Sequence, residues 1–192
     1  MTPGQMVEAV KKTLGGRDYD VVSLGYPGLV VGGVPRKNPP NLGKGWLRFD
    51  FAKAFHRPVK IINDAAMQAV GSYHGGRMLF LGLGTGLGSA LVLDGVLHAT
   101  ELGDLPYLNG RPCSDYVKKA ALQKMGRARW SRHVNKVVRF FAQAILPDYT
   151  VLGGGQAKLV ENLPRGTEVV DNSKAFLGGK RLWQTPPRFH RF

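Results

Sequence analysis

Leu83-Gly84-Thr85-Gly86-Leu87-Gly88 is the stretch on which the reading of this chain turns. A dinucleotide or Walker-type glycine loop joins a strand to a helix whose N-terminus receives the phosphates. Here the glycines lead instead into Ser89-Ala90-Leu91-Val92-Leu93, a second β-type run, and then into Asp94-Gly95, a two-residue hairpin signal. Neither Gly-x-Gly-x-x-Gly nor Gly-x-x-x-x-Gly-Lys is matched. Met78 to Leu83, Leu87 to Leu93 and Val96 to His98 therefore read as an antiparallel meander with a glycine hairpin at its first bend. Bare backbone N–H groups in such a hairpin can cradle a phosphate. A plain tight turn is the competing reading.

Elements of both kinds flank the meander. On the N-terminal side, Met6 to Leu14 reads as a short amphipathic helix ended by Gly15-Gly16. Asp20 to Leu24 and Leu29 to Val34 read as strands separated by the Gly25-Tyr26-Pro27-Gly28 turn, and Pro35 to Trp46 as a loop. A helical turn over Phe49 to His56, a strand over Val59 to Ile62 and a helix over Ala65 to Tyr73 follow. On the C-terminal side, helices are expected over Asp115 to Met125 and Trp130 to Leu146, then a strand at Asp148 to Leu152. A short helix over Lys158 to Leu163, a strand at Val169-Val170 and a helix over Ser173 to Trp183 complete the pattern, with a frayed tail from Gln184.

Three features could carry chemistry. Asn63-Asp64 stand where a strand hands over to a helix, the edge at which sites collect in α/β folds. Asp64 can act there as a general base, or merely as the helix N-cap. Gly153-Gly154-Gly155 fit a strand–glycine loop–helix arrangement that lets a flat ligand or phosphate approach, or a simple turn. Arg129, Arg132, Lys136 and Arg139 form a basic stripe opposite the apolar Val134, Val137, Val138, Phe141 and Ile145, with Lys118, Lys119, Lys124 and Arg127 extending it. Such a stripe is either a solvated helix face or a polyanion track.

Bulk properties exclude several classes. The 192 residues, 43% of them hydrophobic, can bury a core, so wholesale disorder is excluded. The net charge of +14 is uneven: residues 1–110 hold 11 basic and 8 acidic side chains, residues 111–192 hold 16 and 5. One cysteine, Cys113, excludes an intramolecular disulfide framework and a cysteine zinc cluster. His56, His74, His98, His133 and His190 have no metal-ligand spacing, so no metal cage is expected. The start has no secretory character, and the uncharged run Met78 to Leu93 is glycine-broken and too short to span a bilayer. A cytoplasmic protein with no membrane partner is expected. Nucleic acid is not expected as a partner, since no RNA-reading aromatic signature accompanies the charge.

Taken in order, these segments resemble the ROK family of sugar kinases from about Thr2 to Trp183, with the polyphosphate/ATP glucokinase branch the nearest match. The resemblance is carried by Gly25-Tyr26-Pro27-Gly28, Asn41 with Trp46, Asn63-Asp64-Ala65, Leu83 to Gly88, Asp94-Gly95, Glu101-Leu102-Gly103, the Trp130 to Leu146 helix and Gly153-Gly154-Gly155. It implies an α/β, actin/hexokinase-like (ribonuclease H-like) ATPase fold of two lobes. Residues 1–62 would be the remnant of a small lobe, 63–183 the large lobe and 184–192 a tail. It implies a hexose kinase that moves a phosphoryl group from ATP or polyphosphate, with Mg²⁺, to the 6-hydroxyl of glucose. By resemblance Asp64 is the base, Asn41, Asn63 and Glu101 hold sugar hydroxyls, Gly84-Thr85-Gly86 is the second phosphate loop and Gly153 to Gly155 the adenosine loop. A homodimer is also implied.

Two departures from the family pattern stand out. The family opens on a strand ending in Asp-x-Gly-Gly-Thr, the first phosphate loop, and nothing in Met1 to Leu14 resembles it. The expectation is an incomplete N-terminal lobe and impaired activity, with a non-catalytic sugar- or polyanion-binding relative as the alternative. The family's Glu-x-Gly-His is Glu101-Leu102-Gly103-Asp104 here, which argues against zinc.

Overall fold

The computed structural model describes residues 1–39, 42–184 and 188–189. Its main sheet has six strands: β5 (Arg77–Leu83), β6 (Leu87–Leu93), β7 (Val96–Thr100), β8 (Tyr149–Gly153), β9 (Thr167–Val169) and β10 (Arg188–Phe189), in the order β10-β7-β6-β5-β8-β9. β5, β6 and β7 form the expected antiparallel meander, while β8 runs parallel to β5 and β9 parallel to β8. Asp94 and Gly95, both at positive φ (50° and 80°), make the two-residue turn between β6 and β7.

The near-continuous apolar run of β5 follows from its being covered on both faces. Leu79, Leu81 and Leu83 pack with α6 (Arg127–Ile145) and the short α4 (Ser114–Val117) and α5 (Lys119–Met125), around the fully buried Trp130 and Phe141. Met78 and Phe80, on the alternate face, pack with α3 (Asp64–Ser72) and α7 (Lys174–Gln184). On α6 Val134, Val137, Val138 and Phe141 of the apolar stripe are buried and Ile145 half-buried, while Arg129, Arg132, Lys136 and Arg139 are all exposed.

A second, two-stranded sheet pairs β1 (Val22–Tyr26) with β4 (Val59–Asn63) in parallel register, Tyr26 opposite Asn63. Beside it, α1 (Pro3–Leu14) and α2 (Phe51–Phe55) contribute to a separate cluster in which Val7, Tyr26, Trp46, Phe51 and Phe55 are buried. The first helix starts earlier than its apolar spacing suggests, because Thr2 and Gln5 form a reciprocal capping box ahead of Pro3. Its end, Gly15 in the left-handed region, is as expected. α7 ties the two parts together: Ser23 donates from Oγ to the Gly179 carbonyl at 2.7 Å, Trp183 donates to Ser23 Oγ at 2.9 Å, and Lys60 Nζ donates to the Leu182 carbonyl at 2.7 Å.

Several boundaries differ from expectation. Leu29 to Val34 is a tiny hairpin, β2 (Val30–Val31) with β3 (Val34–Pro35), because Gly32 and Gly33 take positive φ and fold the strand back. Asp115 to Met125 is two helices, broken at Lys118, whose extended backbone lets Lys119 N–H donate to the Gly84 carbonyl. The helix expected over Lys158 to Leu163 is only a 3₁₀ turn at Ala157–Leu159. In the tail, expected to fray, Arg188–Phe189 pairs with β7. Among the described residues no helix is long and apolar enough to cross a membrane.

Candidate active site

Asp64 is the first residue of α3, and Asn63 is its cap. The Asn63 amide oxygen accepts from Ala66 N–H at 3.1 Å, and its nitrogen donates to the Gly28 carbonyl at 3.1 Å, fastening the Gly25–Gly28 turn to the helix. The capping role considered for Asp64 thus belongs to its neighbour. Asp64 accepts from Ala65 N–H, 2.8 Å to Oδ1, and from its own backbone N–H, and lines a cleft of about 680 Å³. Burial pushes its carboxyl above the usual carboxylate range, against the lowering effect of those two backbone bonds.

The β5–β6 hairpin borders the same cleft, with Gly84, Thr85 and Gly86 lining it. Glycines bring hairpin and helix together. Gly82 and Gly88 are directly paired across β5 and β6, and a Cβ on Gly88 would lie 2.8 Å from the Ala65 Cβ. The N-terminus of α3 therefore rests on bare backbone, with Asp64 one residue from the contact. Ser114 buttresses the hairpin from below, its Oγ accepting from Leu87 N–H at 3.1 Å.

Glu101 reaches the same cleft from the end of β7, followed by a 3₁₀ turn at Leu102–Asp104. That turn presses on the hairpin at Gly103, where a Cβ would lie 2.5 Å from the Leu87 carbonyl oxygen. Ser89 Oγ secures it by accepting from Leu102 N–H at 3.0 Å. Burial raises the Glu101 carboxyl first, then the nearby Asp104 carboxylate; Lys37 opposes this, and Asp64 adds to it.

The glycine triplet divides. Gly154, at φ 85°, lines the cleft and lies against the Leu83 backbone. Gly153 is buried, packed where a Cβ would meet the Phe80 ring at 2.5 Å, and Gly155 is exposed with nothing within 4 Å of its would-be Cβ. Asn41 lies outside the described residues. The structure thus brings Asp64, Glu101, Gly84, Thr85, Gly86 and Gly154 to one cleft and places Asn63 behind it. Sequence reasoning missed Gln68, which lines the cleft one helical turn after Asp64 and whose buried Oε1 has no partner among the described residues. The i, i+4 spacing from Asp64 was its only signal. Ser114, Asp104 and Pro39 line the cleft as well.

A carboxylate and a backbone hairpin lining one cleft, on a mixed sheet covered on both faces, is the arrangement that the resemblance implied. The chain is similar to the ROK-family sugar kinases. No protein-family model matches it. In sequence it is similar to the polyphosphate glucokinase of Mycobacterium tuberculosis, 27% identical over an alignment of 170 positions that covers 80% of this chain and 63% of that protein. The chain thus spans less than two thirds of that relative's length. In structure it is similar to an inorganic polyphosphate/ATP-glucomannokinase from Arthrobacter sp. strain KM, with a TM-score of 0.76 and 26% identity over 93% of this chain and 81% of that one. A ROK-family glucokinase from Streptomyces griseus, solved with glucose and AMPPNP, superposes with a TM-score of 0.74 at 16% identity, covering 94% and 88% of the two chains. The α/β fold is accordingly that of the ROK and hexokinase-like sugar kinases, a subclass of the actin-like ATPases.

Proposed function

We propose that this chain is a hexose kinase, with glucose as the acceptor and ATP or inorganic polyphosphate as the donor. The observation that carries the reading is that Asp64 and the Gly84–Gly86 hairpin line one cleft, a candidate base beside a candidate phosphate cradle. The reaction forms a bond from the sugar oxygen to phosphorus and breaks the bond from phosphorus to the leaving phosphate oxygen. Asp64 takes the hydroxyl proton. Its Oδ1 is held by Ala65 N–H, which leaves the other oxygen for the sugar. A carboxyl raised by burial is a better base near neutral pH than an exposed one. Glu101 accepts from sugar hydroxyls at the same end, with Asn63 and Asn41 assigned there by resemblance. Thr85 and the hairpin N–H groups hold the transferring phosphate, where positioning and charge stabilisation supply most of the catalysis.

Among the described residues no cluster of three or more His, Cys, Asp or Glu could hold a metal. Mg²⁺ needs less than that, because it arrives with the phosphates and keeps several waters. The carboxylate of Asp104, which lines the cleft and is not assigned to the sugar, suits such a hard cation, which would neutralise donor charge when bound. The 1–62 and 63–183 division into lobes belongs to the same reading, supported by the separate apolar cluster around Tyr26 and Trp46.

The test is a coupled glucose-6-phosphate assay with each donor, on the parent chain and on Asp64→Asn. Turnover should fall by about 100-fold or more in the variant while glucose binding, measured by calorimetry, survives. Equal turnover would remove Asp64 from the base role. Glucose binding with no turnover by either protein would favour a non-catalytic sugar binder.

A further inference from the structure

A second recess, of about 350 Å³, opens between α4, α5 and the start of α6. Arg111, Lys118, Lys124 and Arg129 line it with one carboxylate, Asp115, and the ring of Tyr116. Asp115 is already engaged: Arg111 donates to its Oδ2 at 2.9 and 3.1 Å, and Lys118 bonds its Oδ1. Among the described residues Lys124 and Arg129 form no ion pair, and both are exposed. The recess therefore concentrates uncompensated positive charge in a concavity. Of the four-residue basic stripe on α6, only Arg129 lines it.

The recess adjoins the active-site cleft. Ser114 lines the cleft and Asp115, the next residue, lines the recess. Lys119 N–H donates to the Gly84 carbonyl at 2.8 Å, so the α4–α5 junction is bonded to the phosphate hairpin itself. A ligand with one end at Gly84–Gly86 and the other in the recess would be extended and would carry negative charge at the end held by the recess.

We propose that the recess holds the distal phosphates of linear inorganic polyphosphate while its terminal phosphate lies at the hairpin. The position of the terminal phosphate rests on the kinase reading above; occupation of the recess does not. An anionic chain matches the charge, and its repeating oxygens suit guanidinium and ammonium donors. A nucleoside triphosphate has only three phosphates, so the recess favours the polymer over ATP.

The experiment is calorimetric titration of the parent chain with linear polyphosphate, ATP and an RNA oligonucleotide of equal charge, at two salt concentrations. The same titrations follow on Lys124→Glu/Arg129→Glu and on Lys11→Glu/Lys12→Glu, which reverses equal charge on α1. The recess variant should lower the ratio of polyphosphate to ATP affinity by about tenfold or more, and make the salt dependence of polyphosphate binding shallower. The α1 variant should leave that ratio in place, and thermal melting should show both variants folded. Equal weakening by both reversals would reduce the effect to net charge and overturn the proposal, as would equal loss of ATP binding or tighter binding of RNA. Polyphosphate binding that depends on Lys124 and Arg129 in a chain that phosphorylates no sugar would uphold the site and sink the kinase. Sugar phosphorylation from ATP with no polyphosphate binding would do the reverse.

Discussion

Gly71 of α3 and Gly178 of α7 meet backbone against backbone. A Cβ on Gly71 would run into the Lys174 carbonyl, and one on Gly178 into the carbonyl of Met67, so the two helices cross at glycines from both sides. Because α3 begins with Asp64, this crossing fixes the depth at which that carboxyl sits.

Substituting either crossing glycine should therefore be costly. Alanine normally stabilises a helix interior by about 1 kcal/mol over glycine. Here the methyl group meets backbone that cannot rotate away, and overpacking of that kind costs about 1–3 kcal/mol or more. Gly71→Ala and Gly178→Ala should lower the urea midpoint, whereas Gly4→Ala on α1, with nothing within 4 Å, should raise it slightly. A stabilised Gly71→Ala would mean that the helices cross elsewhere.

Asp64 should carry a stability cost as well as a catalytic role. Its folded carboxyl titrates above its unfolded value, so its favourable contribution is full below about pH 4 and is lost as pH rises through the folded value. Asp64→Asn should melt higher than the parent at pH 7, and the difference should shrink in acid. The acid limb of kcat/KM should likewise lie above the ordinary carboxylate range, since the base must be ionised. A limb at or below pH 4 would assign that limb to another group.

The meander, the apolar stripe of α6 and the strand-to-helix step at Asn63-Asp64 were legible because each rests on local patterning or turn chemistry: the apolar run Met78 to Leu83, Asp94-Gly95 at the bend, Val134 to Ile145 on one face. What escaped depended on contacts distant in sequence. Gly153 reads as a ligand loop until Phe80 is found against it, and Gly71 as a weak point in a helix until α7 arrives. Lys118 breaks its helix to serve a bond to Gly84, which nothing in Asp115 to Met125 announces.

Two hairpin glycines should separate packing from ligand approach. Gly84→Ala meets no atom within 4 Å, so stability should hold to within about 0.5 kcal/mol while donor KM rises severalfold, because the methyl group stands where a phosphate would approach. Gly88→Ala, facing the Ala65 methyl group at 2.8 Å, should lower stability by about 1–3 kcal/mol. Unaltered donor KM in Gly84→Ala would return the hairpin to a structural turn.

Ser114→Ala removes the acceptor of Leu87 N–H. Leaving a part-buried donor unpaired costs about 1–3 kcal/mol. The thermal midpoint should fall, and donor KM should rise more than sugar KM, since the loosened element is the hairpin rather than α3. Equal changes in both would show that the whole cleft relaxes together.

The bonds of α7 to Ser23, Lys60 and the α3 backbone also order events in time. Gly179, Leu182 and Trp183 lie more than 120 residues after the groups in β1 and β4 that they hold. During synthesis β1, β4 and α3 emerge long before the helix that clamps them, and pairings so distant in sequence form slowly. Until about residue 184 leaves the ribosome, α3 lacks the helix that crosses it at Gly71, and that uncovered face must be kept from neighbouring chains in the meantime.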